Sequence, residues 1–205
     1  MEIKNKKATG NSFEFELKGS DEVFANTLRR TLISNIPVFA AEKIAIINNN
    51  SPMYDEHIAH RIAMIPFTYS DKYNNKNNCE CEHGCDKCNV TLTLKKKGKA
   101  SVYSGDFKSS DRNVVPVCKD ILITRLEEDM NFEIEATLIT GTLKEHSKFQ
   151  NSITSTSYET PDNIRFKIKA ITGRKPRDML LESVDILKDK LAQFKKEIEK
   201  TKEIK

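Results

Sequence analysis

Leu180, Val184, Leu187, Leu191, Phe194 and Ile198 recur at intervals of four, three, four, three and four in this 205-residue chain. Steps of three and four keep side chains on one stripe of an α-helix, a seam of the heptad type. The stripe runs for about five turns at ~5.4 Å each, and water has to be kept from it. Most amphipathic helices bury such a face within their own domain. A seam this long on the last helix of a small unit instead predicts a partner chain.

The residues before the seam are of matching character. Residues 164–171 alternate apolar and basic with the period of two of a half-buried strand, and Gly173 and Pro176 mark the turn into the helix. Near the other end, Phe13, Phe15 and Leu17 alternate with glutamates as a strand, which Gly19 and Ser20 break. A helix is expected next: Asp21 and Glu22 place acid at its start, Phe24, Leu28 and Leu32 recur at four-residue spacing, and Pro37 closes it. Residues 43–47 form a short apolar strand.

Between these ends the chain is β-rich, with alternating strands at 90–94 and 132–139, a weaker one at 121–126, and a short helix at 55–64. Asn48, Asn49, Asn50, Ser51 and Pro52 cannot continue a strand or helix cheaply and mark one boundary. The Ser/Thr-rich stretch 150–162 marks the other. The expected fold is therefore α+β. A discontinuous dimerisation domain of one sheet and two helices, 1–47 and 163–205, is interrupted by a β-rich inserted domain, 48–162.

The inserted domain carries Cys79, Cys81, Cys85 and Cys88, four of the five cysteines in the chain, within ten positions. Structural zinc takes four thiolates tetrahedrally, and short spacers let one bend of backbone, here at Gly84, wrap a single ion. Such coordination is closed, which leaves no position for water or substrate and excludes zinc catalysis. An iron–sulfur cluster also uses four cysteines, but its usual spacings differ, and it is the weaker alternative. Neighbouring disulfides would be strained and out of place in a reducing compartment. The zinc deaminase signature is absent, because no histidine is followed two places on by glutamate and Cys85 follows glycine.

His83 reads as a bystander to the thiols, and His57 and His60, without a third ligand nearby, as structural or surface residues. Cys118, standing alone, reads as a small apolar filler. No phosphate-binding glycine loop, nucleophile elbow or paired-aspartate metal site appears. A net charge of +4 does not by itself imply nucleic acid, and the basic residues are interspersed with acids. No apolar run reaches the ~18 residues of a spanning helix, and the first residues lack a secretory apolar core. The expected setting is intracellular, with no membrane partner.

The run FANTLRRTLISNIP at 24–37, followed by DEHIAHRIAMIP at 55–66, resembles a known family. It is similar to the archaeal D-type RNA polymerase subunit and its eukaryotic third-largest-subunit counterpart, with the bacterial alpha subunit a more distant relative. The cysteine loop leading into VTLTL resembles the zinc-binding loop of eukaryotic and some archaeal members. GTLKEHSK at 141–148 resembles the family's G-x-x-K-x-H-A-K stretch. Thr27 and Ser147 stand where alanine is common, and Phe149 and Asn151 replace an expected tryptophan and proline. These departures touch the packing of that loop.

The resemblance implies a non-catalytic assembly subunit of DNA-directed RNA polymerase. Its discontinuous domain would pair with a smaller alpha-like subunit and dock the large catalytic subunits, meeting DNA and RNA only through the complex. Asn26, Leu28, Arg29 and Arg30 would form the large-subunit contact, and Leu32 would join the helical seam at the dimer interface. The compact length fits an archaeal member, hence cytoplasm, with a nuclear or viral setting otherwise. From the cysteine loop alone, the competing function is a zinc-knuckle module that binds nucleic acid directly.

Overall fold

The computed structural model describes residues 1–75, 79–81, 84–160 and 162–202. In order, the elements are β1 (Glu2–Thr9), β2 (Ser12–Lys18), α1 (Glu22–Ser34), β3 (Val38–Asn49), α2 (Asp55–Ala63), β4 (Asn89–Lys97), β5 (Ala100–Tyr103) and β6 (Lys108–Ser109). They continue through β7 (Leu122–Leu126), β8 (Asn131–Gly141), β9 (Ser152–Thr160), β10 (Asn163–Ala170) and α3 (Pro176–Lys202). The fold is α+β, and the chain divides into two compact units: 1–36 with 151–205, and 37–150.

The first unit is a four-stranded antiparallel sheet in the order β1-β2-β10-β9, with α1 and α3 on its core. Register explains its centre. Ile164 pairs with Leu17, Phe166 with Phe15 and Ile168 with Phe13, so the apolar residues of two alternating strands fall on one face. Glu14 and Lys167 pair on the other face, 2.9 Å apart. The Asp21 carboxylate caps α1 by accepting the Phe24 amide at 2.6 Å. At its far end the buried Asn151 amide donates to the carbonyl of Leu32 in the last turn (2.9 Å) and to that of Ile36 just past the helix (3.3 Å), where the last carbonyls of a helix lack intrahelical partners.

Of the stripe expected from the spacing, Leu28 and Leu32 face the core, whereas Phe24 is 37% exposed and Ala25 takes the inward position beside them. In α3, Met179 is buried and Leu180, Val184, Ile186 and Leu187 pack against the same core. Beyond them the helix leaves the core.

The second unit contains the antiparallel sheet β3-β8-β4-β6 and the two-stranded β5-β7. Its main core combines Ile58 and Ile62 of α2, Val90, Leu92 and Leu94 of β4, and Phe132, Ile134, Ala136 and Leu138 of β8. Val38, Ala40, Ile139 and Phe149 form a separate buried cluster, which accounts for the unbroken apolar start of β3.

Two boundaries differ from the sequence reading. Residues 43–47, expected to complete the first sheet, belong to the longer β3, which pairs with β8 in the second unit. The Ser/Thr-rich stretch forms β9 of the first unit rather than a connecting loop, pairing with β10 and packing under α1. Ser152 and Thr154 are small enough to be buried there, and their hydroxyls bond each other at 3.2 Å. No helix among the described residues is long and apolar enough to cross a membrane.

Candidate metal centre and interaction faces

The four thiols of the cysteine loop converge, with every sulfur within 4.8 Å of the other three. Neighbouring sulfurs are separated by 3.3 Å (Cys79–Cys81), 3.4 Å (Cys81–Cys88), 3.6 Å (Cys79–Cys85) and 3.8 Å (Cys85–Cys88). Metal–sulfur bonds of about 2.3 Å at tetrahedral angles give sulfur–sulfur edges of about 3.8 Å. A disulfide needs about 2.05 Å. The spacing therefore fits four ligands around one ion, and no pair is bonded.

Local backbone geometry assembles the set. The Cys85 carbonyl accepts the amides of Cys88 (3.0 Å) and Asn89 (2.9 Å), while the Cys85 amide donates to Cys88 Sγ at 3.2 Å. Cys88 is fully buried in the turn immediately before β4, so the strand that follows anchors one ligand. The Asn74 amide donates to the Lys87 carbonyl at 2.8 Å, and Thr140 Oγ1 of β8 donates to the Asn74 carbonyl at 3.3 Å. Gly84 has φ +98°, and a Cβ there would meet the Asn89 amide nitrogen at 2.0 Å. The Asn89 side chain would have to swing aside, and the positive φ itself favours glycine.

The thiols are not electrostatically equal. Burial pushes the Cys88 thiol up, whereas the Lys87 amide, donating to the Cys85 sulfur, pulls that thiol down. Four thiolates supply four negative charges within a few ångströms, an arrangement that a divalent cation stabilises. Protein sulfur would fill a tetrahedral shell, so the centre is chemically suited to holding the loop together.

The remaining sequence candidates lie elsewhere. His83 falls outside the described residues. His57 and His60 are exposed on α2, where the His57 ring lies 6.3 Å from that of Tyr54, and neither joins a metal-ligating group among the described residues. Cys118 is exposed and is not a core filler. Its carbonyl is what the fold uses, accepting Ser104 Oγ at 2.6 Å.

On α1, Asn26 and Arg30 are exposed and Arg29 is half-buried, with Arg29 donating to Asn26 Oδ1 at 2.8 Å. Leu28 and Leu32 point inward and are 4% and 0% exposed, so both serve the unit's own core. On α3 the seam splits: Leu180, Val184 and Leu187 are half-buried, whereas Leu191, Phe194 and Ile198 are 68%, 66% and 45% exposed.

A further buried constellation was not read from the sequence. Lys148 is nine-tenths buried; its ammonium donates to the Ala41 carbonyl at 3.1 Å, pairs with Glu42, and lies 5.1 Å from the centroid of the Phe149 ring. That ring in turn lies against Gly141, where a Cβ would come within 2.6 Å of it. The glycine and final lysine of GTLKEHSK are thus packing requirements, a signal present in the pattern but silent about its cause.

Comparison with known proteins finds relatives over most of the chain. A family model described as the RNA polymerase Rpb3/RpoA insert domain matches residues 44–164. The DNA-directed RNA polymerase subunit Rpo3 of Methanothermobacter thermautotrophicus is 34% identical over 170 residues, covering 81% of this chain and 64% of that protein. The subunit of the same name from Pyrococcus horikoshii is 39% identical over 170 residues, covering 82% and 63%. That of Methanopyrus kandleri is 31% identical over 191 residues, covering 87% and 69%. The chain spans somewhat less than two thirds of the first two relatives. By the extent of both kinds of match, the chain belongs to the RNA polymerase Rpb3/RpoA insert-domain family.

Proposed function

We propose that this chain is a non-catalytic assembly subunit of a DNA-directed RNA polymerase, acting in the cytoplasm of an archaeal cell. Its first unit pairs with a smaller alpha-like subunit, and the pair docks the large catalytic subunits. The observation that carries the reading is α3: a seam that begins in the core at Leu180 continues as exposed Leu191, Phe194 and Ile198. Three large apolar side chains in line on one helix are better covered by a matching surface than by water. The exposed Asn26 and Arg30 of α1, with the half-buried Arg29 beside them, supply the large-subunit contact, since guanidinium forks suit carboxylates and carbonyls at interfaces.

In this reading Cys79, Cys81, Cys85 and Cys88 hold one structural zinc ion. When bound, the ion supplies a cross-link that fixes the loop ahead of β4. The chain's own contribution is the preformed turn at Cys85–Cys88, the glycine bend and the buried fourth thiol.

Direct nucleic-acid binding is the weaker reading. In the most lysine-dense stretch, three of the four lysines, Lys95, Lys96 and Lys99, are paired with Glu133, Asp106 and Glu127, which reduces the positive charge free for phosphates. Native mass spectrometry of the chain co-expressed with candidate polymerase subunits is the test. The expected species is a heterodimer with a small alpha-like subunit carrying the mass of one zinc ion. A persistent monomer that captures neither small nor large subunits overturns the reading, as would salt-sensitive binding of DNA or RNA by the isolated chain.

A further inference from the structure

The second unit has a groove of about 490 Å³ between α2 and β7 that neither the metal centre nor the exposed faces of α1 and α3 use. One wall is Tyr54, His57 and Arg61, spaced along one side of α2; the other is the consecutive run Leu122, Ile123, Thr124 and Arg125 of β7, and Met53 adds apolar surface. The floor is firm, since Ile123 is fully buried and Thr124 is 3% exposed. The lining is mostly apolar.

β7 belongs to a two-stranded sheet, and its one strand partner is β5. The groove therefore runs along an edge of β7 that no strand covers among the described residues. An uncovered edge is a row of backbone donors and acceptors able to receive another extended chain. One position is already taken in the manner of such a ligand: Arg61 donates to the Leu122 carbonyl at 2.6 Å. This contact holds a guanidinium at the mouth of the groove.

Among the residues that line the groove the charge has one sign. Its titratable lining is His57, Arg61 and Arg125, besides the Tyr54 phenol, with no carboxylate among the lining residues. Among the described residues neither arginine is in an ion pair. Guanidinium groups beside an apolar trough favour an occupant that alternates apolar and acidic side chains, because carboxylates accept two parallel N–H bonds from arginine. An extended strand presents such an alternation naturally, one set of side chains entering the trough and the other reaching its rim.

We propose that the α2–β7 groove docks an extended acidic segment of another polypeptide as a third strand on the β5–β7 sheet. Apolar side chains of that segment lie over Met53, Tyr54 and the half-buried Leu122, and its carboxylates meet Arg61 and Arg125. This inference does not depend on the polymerase reading.

The test uses the full chain and a fluorescein-labelled hexapeptide of alternating valine and glutamate. Saturable binding is expected, with amide hydrogen exchange slowed in residues 122–126. Arg125→Glu should weaken it at least tenfold, and a peptide of alternating valine and lysine should not bind. Arg125 is exposed and cross-strand to Ser101, so the variant should keep its fold, which circular dichroism checks. Absence of saturable binding, equal binding by the lysine peptide, or unchanged affinity in Arg125→Glu overturns the proposal. So does displacement of the glutamate peptide by a short oligothymidylate, since the basic rim would then be a site for phosphates.

Discussion

The rings of Phe15 and Phe166 stack with centroids 4.9 Å apart and planes 3° from parallel. These residues are register partners on β2 and β10, drawn from the two separate segments of the first unit. Both are essentially inaccessible to water. Phe166→Ala should therefore cost about 3–5 kcal/mol through the lost transfer energy and the cavity left behind. Urea unfolding should show a lowered midpoint while metal content stays unchanged. An unchanged midpoint would mean that the stacked pair does not hold the segments together.

Cys81 has two sulfur neighbours within 3.4 Å, so removing its thiol opens the ligand set. Cys81→Ser should lose stoichiometric metal by elemental analysis and melt at a lower temperature in the second unit, while the pairing proposed for α3 should be unaffected. Structural zinc in small peptides contributes on the order of 10 kcal/mol of folding free energy. Gly84→Ala should weaken metal binding in competition with a chelator, because φ +98° is strained for alanine and its Cβ would displace the Asn89 side chain.

Gly141 and Phe149 leave no space between them. Gly141→Ala must push the buried ring, and with it the cation that lies over that ring, at an overpacking cost of about 1–3 kcal/mol. Gly98→Ala is a useful contrast: a Cβ there meets nothing within 4 Å, although φ +71° still strains the backbone. Comparing denaturation midpoints of the two variants separates steric from dihedral cost. Equal and small effects would show that Phe149 moves freely.

Asp111 should give the second unit a pH dependence. The Asn113 amide, at 2.8 Å, and the Tyr73 hydroxyl, at 2.9 Å, both donate to its carboxylate and hold it below the ordinary aspartate pKa. A carboxyl lowered by folding stabilises the fold above its unfolded value of about 3.9, and the contribution disappears as pH falls through the lower folded value. Asp111→Asn should thus be less stable than the parent near neutrality and lose less stability on acidification. Parallel midpoints for both proteins between about pH 6 and pH 2 would contradict this linkage.

Leu191 and Phe194 are two-thirds exposed and touch no described core. Replacing both with aspartate should leave the unfolding free energy of the isolated chain within about 0.5 kcal/mol of the parent, as expected of surface positions. Co-purification of a small polymerase subunit should nevertheless be lost. Intact capture by the double variant would place the dimer interface elsewhere.

The sequence alone determined the elements whose periodicity and burial coincide. β10 alternates because one face is packed and the other wet, and α3 shows its stripe whether or not a partner is present. The cysteine spacing was equally legible, since four thiolates so close together have few stable arrangements. β1 and β9 were hidden because edge strands are specified by the strand beside them: β1 is exposed along its whole length, and β9 buries serines and threonines rather than large apolar groups.

Tertiary structure alone decided where the units divide, because residues 43–47 could serve either sheet until β8 supplied a long antiparallel partner. It also committed Leu28 and Leu32 to the unit's own core rather than to partner chains, exposed Phe24 and Cys118, and seated Lys148 between Glu42 and the Phe149 ring. A periodic pattern records that a residue must be covered or solvated. Only the packed chain decides what covers it, because that depends on neighbours far away in the sequence.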